Sequence, residues 1–232
     1  MSARASCGQT PPEAGARRWH LSWIPRDRRD EACTFIESRY LFRHRAVIRV
    51  QYPRLLALSS RDGALQAVVG LRRGDQMPLM VDDYLGMSAG HALVESGLAG
   101  DCPDPSRIME VGALAGGSPG AGRRLMLSLV LVLESLGIEW LVVTASRDVR
   151  NGLGRLGIDM TELAIAQRSR LRDGADWGTY YRSDPRVVAI RPCREATRLR
   201  ETALGARLLA GVPRLASSRL AAAGGGREKV ET

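Results

Sequence analysis

The chain has 232 residues, a net charge of +9 and only 5% aromatic residues. That length supports one sizeable core, and the scarcity of aromatics argues against a base-stacking nucleic-acid platform. No apolar run reaches the roughly 18 residues that a membrane-spanning helix needs. Cys7, Cys33, Cys102 and Cys193 stand far apart, with no C-x-x-C pair and no histidine at ligand spacing. Neither a disulfide framework nor a metal site is therefore expected. Scattered thiols and the absence of an apolar leader point to a cytoplasmic protein. The positive charge is nearly all arginine, with Lys229 the single lysine.

Residues 1–16 are mostly Pro, Gly, Ser and Ala with nothing to bury, and read as a disordered tail. One domain is expected over residues 17–192, followed by a basic extension over 193–232. Trp19 to Ile24 alternates and predicts a strand. Within residues 28–44, Cys33, Phe35, Ile36, Tyr40 and Leu41 recur at helical spacing and predict an amphipathic helix. Residues 54–58 and 64–71 read as strands joined by Arg61-Asp62-Gly63, which supplies hairpin turn chemistry. Residues 78–85 read as an extended piece and a turn. Ser88 can cap a short helix through Glu95, and prolines stiffen a loop over 97–105.

Residues 107–157 carry the centre of the chain: strand, glycine-rich turn, helix, strand, helix. Residues 125–133 hold one polar side chain, Ser128, so that helix must be largely buried. Residues 158–165 predict another strand, 169–179 a loop, and 186–191 a last short strand. Beyond Pro192, Leu199, Ala203, Leu204, Leu208 and Leu209 predict one amphipathic helix over about residues 194–209, flanked by arginines.

Two features of the centre point to chemistry. Glu110 is the one carboxylate in a strand that is otherwise apolar on both faces. Such a group has a raised pKa and suits a general base, unless it is a structural acid paired with an arginine such as Arg107 or Arg54. Gly120, Ala121 and Gly122 open the following helix, where backbone N–H groups can hold an anion, and Arg123 and Arg124 add positive charge. Neither His20, His44 nor His91 has a Ser or Asp arranged around it for nucleophilic catalysis.

The element order resembles that of the GNAT acyltransferase fold. The strings Ser106-Arg107-Ile108-Met109-Glu110-Val111-Gly112-Ala113-Leu114-Ala115 and Asp176-Trp177-Gly178-Thr179-Tyr180-Tyr181, with Pro53 to Leu58, are similar to a bacterial family called thermostable hemolysin. That group resembles acyl-homoserine-lactone synthases. The resemblance implies an α/β fold with a GNAT-like mixed central β-sheet flanked by helices. It also implies transfer of an acyl group from a coenzyme A or acyl-carrier-protein thioester, the phosphopantetheine arm being shared, to a small amine or amino-acid-like acceptor. Two positions depart from the pattern: glycine stands where the GNAT pyrophosphate loop carries Arg or Gln, and Ala113 where the family tends to carry Asn.

On this reading Glu110 handles the proton and Tyr181 is a candidate acid for the leaving thiolate. Gly120, Ala121, Gly122, Arg123, Arg124, Thr144 and Ser146 would hold the donor. Asp82, Asp83, Tyr84, Trp177 and Tyr180 would meet the acceptor. No metal is implied. The basic C-terminal helix offers contact with acyl carrier protein or with an anionic membrane surface. The alternative, suggested by the family name, is a membrane-active protein without enzymatic activity. A nucleic-acid module has only its charge in support.

Overall fold

The computed structural model describes residues 19–210. The hairpin turn at Asp62-Gly63 sets β2 (Arg54–Ser59) antiparallel to β3 (Leu65–Arg73), and β1 (His20–Trp23) pairs with the outer edge of β2. β3 pairs antiparallel with β4 (Ile108–Gly116), which pairs parallel with β5 (Trp140–Ala145). β7 (Arg186–Ile190) lies antiparallel between β5 and β6 (Thr161–Ile165). The result is one seven-stranded mixed sheet in the order β1-β2-β3-β4-β5-β7-β6.

Helices cover both faces because the central strands are apolar on both sides. α4 (Ala121–Ser135) packs on the face that presents Leu56, Val69, Val111 and Val143. Its one polar residue in the buried run, Ser128, returns its hydroxyl to the Arg124 carbonyl at 2.9 Å. α1 (Arg29–His44) covers the face presenting Ala57 and Val68. α2 (Met80–Leu85) and α3 (Ala89–Glu95) cover the same face beside Ile108 and Val142, and Ser88 caps α3 as expected. α5 (Arg147–Arg155) follows β5 directly.

Three expectations need correction. Residues 80–85 are helical, not extended. The Asp82 carboxylate accepts the Leu79 N–H at 3.1 Å and the Ala89 N–H at 2.8 Å, while Val81 and Tyr84 are buried three residues apart on one helical face. β6 begins at Thr161, three residues later than 158. The C-terminal helix is two: α6 (Pro192–Glu201), with Pro192 in its first turn, and α7 (Ala203–Ala210), separated at Thr202, which is extended. Ala196 and Leu199 of α6 are buried in the α4 core, so this apolar face is not free for a lipid surface. The N-terminal tail over 1–16, residues 211–232 and the side chains of Leu204 and Leu208 lie outside the described residues.

β4 carries a bulge. Val68 pairs with Ala115 and Gly70 with Gly112, so Val69 alone faces Ala113 and Leu114. Ala113 sits at φ +51°, a left-handed conformation in which its Cβ is strained and Asn or Gly is more comfortable. The departure from Asn at this position therefore has a backbone cost. Ala113→Gly is expected to raise stability by up to about 1 kcal/mol, read as a higher denaturant midpoint at unchanged slope.

Candidate active site

β4 and β5 pair from Ile108–Trp140 to Val111–Val143 and no further. Past that point the bulge turns β4 along β3, β5 stays with β7, and the sheet opens between them. A cavity of about 410 Å³ lies on the α4 face of the gap, and one of about 250 Å³ on the opposite face. Tyr40, Gly112, Ala113, Thr144 and Tyr180 line both, so the two cavities adjoin where the strands part.

The α4-face cavity is apolar inside, lined by Val111, Leu125, Leu129 and Val143. Arg39, Phe42 and Arg43 of α1 form its cationic rim, and Phe42 is 87% exposed. Thr144 lies at the junction with its buried Oγ1 unpartnered among the described residues. Ser146 lines the same cavity, but its Oγ also accepts the Val149 N–H at 3.4 Å as the cap of α5. Ser146→Ala is thus expected to cost about 1 kcal/mol of stability whatever it does to ligand binding, measurable by chemical denaturation. The turn after β4 delivers Gly120, at φ +80°, as the N-cap of α4, with no side chain over the N–H groups that follow. Gly120, Ala121, Gly122, Arg123 and Arg124 do not line the cavity; Gly116 before them and Leu125 and Met126 after them do. Arg123 is exposed, and the Arg124 guanidinium lies over the Trp19 ring at 5.7 Å.

Glu110 lies beneath the opposite cavity and is 1% exposed. Its Oε2 accepts the Met80 N–H at 2.9 Å, and its Oε1 accepts the Val81 N–H at 3.2 Å and the Tyr52 hydroxyl at 3.4 Å. The nearby cation is Arg72, at 3.9 Å, while Arg107 pairs with Glu139 and Arg54 covers the Trp23 ring. Burial pushes the Glu110 carboxyl up to about 7 against the pull of these amides and of Arg72. Neither cavity is lined by Glu110 itself; the cavity is lined by Tyr52 and Met80, its partners.

Tyr52 fits because two strands leave room for it. A Cβ on Gly112 would lie 2.6 Å from Tyr52 Cζ and closer still to its hydroxyl, and a Cβ on Gly70 would lie 2.6 Å from Tyr52 Cβ. Arg72 holds its guanidinium 5.2 Å from the Tyr52 ring centroid and donates to the Gln51 and Pro78 carbonyls, both at 3.0 Å.

The D-W-G-T-Y-Y string forms the remaining wall. Gly178, at φ +49°, passes so close to the end of α1 that a Cβ would lie 2.6 Å from the Arg45 carbonyl oxygen, and Thr179 N–H donates to the His44 carbonyl at 2.7 Å. This brings Trp177 and Tyr180 against Tyr40, with ring centroids 6.2 and 6.0 Å away. The Tyr180 hydroxyl donates to the Thr144 carbonyl at 3.4 Å. Tyr84 lines the cavity, and its hydroxyl lies 2.6 Å from that of Tyr181, which lines neither cavity. Asp82 is engaged in holding α2 to α3, and Asp83 accepts the Arg172 N–H at 3.3 Å; neither lines a cavity. Tyr40, His44, Tyr52 and Arg72 escaped sequence reasoning. The glycines Gly70 and Gly112, each inside an apolar strand, were the one local sign that a bulky group approaches there.

The family described as thermostable hemolysin matches residues 25–194. The chain belongs to that family. No curated protein matches it. Among solved structures it is similar to BjaI, a CoA-dependent acyl-homoserine lactone synthase, held with SAM and isopentyl-CoA. The TM-score is 0.57 at 14% identity, over 88% of this chain and 96% of that one. It is also similar to FeeM, an N-acyl amino acid synthase from uncultured soil microbes, with a TM-score of 0.56 at 14% identity, over 80% and 96% of the two chains. A third is MesI, another CoA-dependent acyl-homoserine lactone synthase, at 0.52 and 18%, over 86% and 100%. These likenesses establish the expected GNAT-like α/β fold for this member of the thermostable hemolysin family. Among its described residues no helix is long and apolar enough to cross a membrane, and no three His, Cys, Asp or Glu side chains form a group able to hold a metal.

Proposed function

We propose that this chain is an N-acyltransferase that moves an acyl group from a coenzyme A or acyl-carrier-protein thioester to a small amine. The observation that carries the reading is the pair of cavities adjoining across the sheet, one apolar with a cationic rim, the other walled by tyrosines with Glu110 beneath it. The structurally similar synthases named above lend support, two of them being CoA-dependent.

In this reading the pantetheine arm and acyl chain occupy the α4-face cavity. Arg39, Arg43 and the N-terminal turn of α4 face the phosphate-bearing end. The thioester carbonyl sits at Gly112, Ala113 and Thr144, and the amine arrives from the other side. An ammonium acceptor loses one proton to Glu110 through the Tyr52 hydroxyl, because Glu110 has no cavity surface of its own. The nitrogen lone pair then forms the C–N bond, the C–S bond breaks with its electron pair on sulfur, and the second nitrogen proton balances the thiol released. Burial holds the Tyr180 phenol well above its ordinary range, so it stays protonated at the junction. That makes Tyr180 better placed than Tyr181 to donate to the leaving sulfur.

The test is mass spectrometry of lipid extracts from cells expressing the wild type or Glu110→Gln, beside thiol release from acyl-CoA and acyl-carrier protein with purified protein. A new acyl-amine made by the wild type alone supports the reading. No product and no amine-dependent thiol release with either donor, from protein that lyses vesicles, would overturn it in favour of direct membrane action.

A further inference from the structure

All five tyrosines of the chain converge on one place. Tyr40, Tyr52, Tyr84 and Tyr180 line the 250 Å³ cavity, and Tyr181 meets Tyr84 hydroxyl to hydroxyl. Trp177 joins them, with its ring centroid 5.1 Å from that of Tyr180. In a chain so poor in aromatics, this concentration is not a by-product of core composition; the main core beneath α4 is built of Leu, Val, Ile and Ala.

Two charged side chains line the cavity, Asp173 and Arg49, and only Asp173 is largely buried. Asp173 lines it, with its side chain 10% exposed, and Glu110 lies beneath it. Asp173 accepts the Trp177 indole N–H at 2.8 Å and the Ala175 N–H at 3.1 Å, and Arg168 stands 3.6 Å away outside the lining. Arg49 is the one cation among the lining residues, and its side chain is 88% exposed and drawn to Glu37 at 3.5 Å. Arg72 lies behind Tyr52 and outside the lining, its two terminal nitrogens donating to backbone carbonyls and one of them standing 3.9 Å from Glu110. Among the lining residues a substrate carboxylate would therefore meet aromatic rings, Asp173 and only the solvent-exposed Arg49, since buried Arg72 has no surface in the cavity, and desolvating it there is costly. A positive nitrogen is favoured by both features: by the negative faces of aromatic rings and by the carboxylates.

Resting on the acyl-acceptor reading above, we infer that the acceptor is a small amine bound as its ammonium and lacking an α-carboxylate, a simple alkyl- or arylalkylamine and not an amino acid. The volume, at the small end for ligand sites, admits a compact amine of this kind.

The test separates binding from turnover. Choline, its neutral isostere 3,3-dimethylbutan-1-ol and the carboxylated glycine betaine are titrated by calorimetry into the full chain. Choline and the isostere differ only in charge, and a quaternary nitrogen cannot be acylated. Choline is expected to bind at least about tenfold more tightly than either companion, and Asp173→Asn or Trp177→Leu to remove most of that preference. In parallel, kcat/KM with acyl-CoA is compared for isobutylamine against valine and for phenethylamine against phenylalanine, each amine being expected to lead by about tenfold or more. Equal binding of choline and its isostere, tighter binding of betaine, or preferred acylation of the amino acids overturns the inference and, in the last case, leaves the transferase intact. A choline preference without acylation of any amine upholds the cation site while removing the transferase reading. Should Trp177→Leu fail to fold, the near-isosteric Asp173→Asn decides.

Discussion

Glu110→Gln is expected to lower kcat/KM for amide formation by about 10²–10⁴-fold, the range associated with losing a positioned general base. The wild-type profile should climb about tenfold per pH unit below the Glu110 pKa of about 7 and level above it, and the variant should lose that limb. The same group makes an opposite prediction for stability. Its folded-state pKa lies above the ordinary 4.5, so between pH 4.5 and 7 the native state binds more protons than the unfolded chain. Stability therefore falls as pH rises through that window, by on the order of 3 kcal/mol for a shift of this size. Above pH 7 the charged carboxylate is buried at full cost. The variant cannot ionise and should escape this loss, although its amide N–H₂ faces one of the two backbone donors that Glu110 satisfies and costs about 1 kcal/mol at all pH values. Urea titrations of both proteins from pH 4.5 to 8 give the difference curve. Parallel curves would show that Glu110 is already ionised in the native state across the range, and would remove it as a base tuned to neutral pH.

The second large effect comes from packing. Gly112→Ala places a methyl group into the Tyr52 phenol and Gly70→Ala places one against the root of the same side chain, so each should destabilise the fold by about 2–4 kcal/mol. Removing the tyrosine tells the two apart. At Gly112 the obstructing atoms are the hydroxyl, Cζ and Cε2, all of which vanish in Tyr52→Ala. At Gly70 the obstruction includes Tyr52 Cβ, which alanine keeps. In the Tyr52→Ala background Gly112→Ala should cost less than about 1 kcal/mol, whereas Gly70→Ala should retain much of its penalty. Denaturant midpoints of the double-mutant cycle measure both coupling energies. Equal coupling at the two glycines would mean that Tyr52 does not lie across β3 and β4 as described. Tyr52→Phe, which keeps the ring and removes only the hydroxyl, isolates the relay: it should fold like the wild type and lose most of the activity that depends on Glu110.

Much of the architecture was readable because its signals are local. The apolar run from Leu125 to Leu133 could only be a buried helix, Ser88 marked a cap, and Asp62-Gly63 marked a hairpin. Glu110 was conspicuous as the one acid in an apolar strand. The helix over residues 80–85 was missed because its stabilising partner, the Ala89 N–H that Asp82 accepts, lies beyond the segment itself. Asp82 and Asp83 looked like an amine-recognition pair because a short sequence cannot show that a carboxylate is already occupied by backbone donors.

The sequence by itself determined the order of the seven strands, the glycine-rich entry to α4 and the presence of a carboxylate that burial must perturb. Periodicity and turn chemistry act over a few residues and are written there directly. What only the tertiary structure decided is who stands beside whom. Arg72 and not Arg107 accompanies Glu110, the phenol of Tyr52 and not the carboxylate faces the cavity, and Tyr180 rather than Tyr181 reaches the junction. Tyr40, Tyr52, Tyr84 and Trp177 come from four distant segments. They share one cavity because a bulge at Ala113 parts two strands, and neither a strand's departure from its neighbour nor the space it leaves can be read from spacing along the chain.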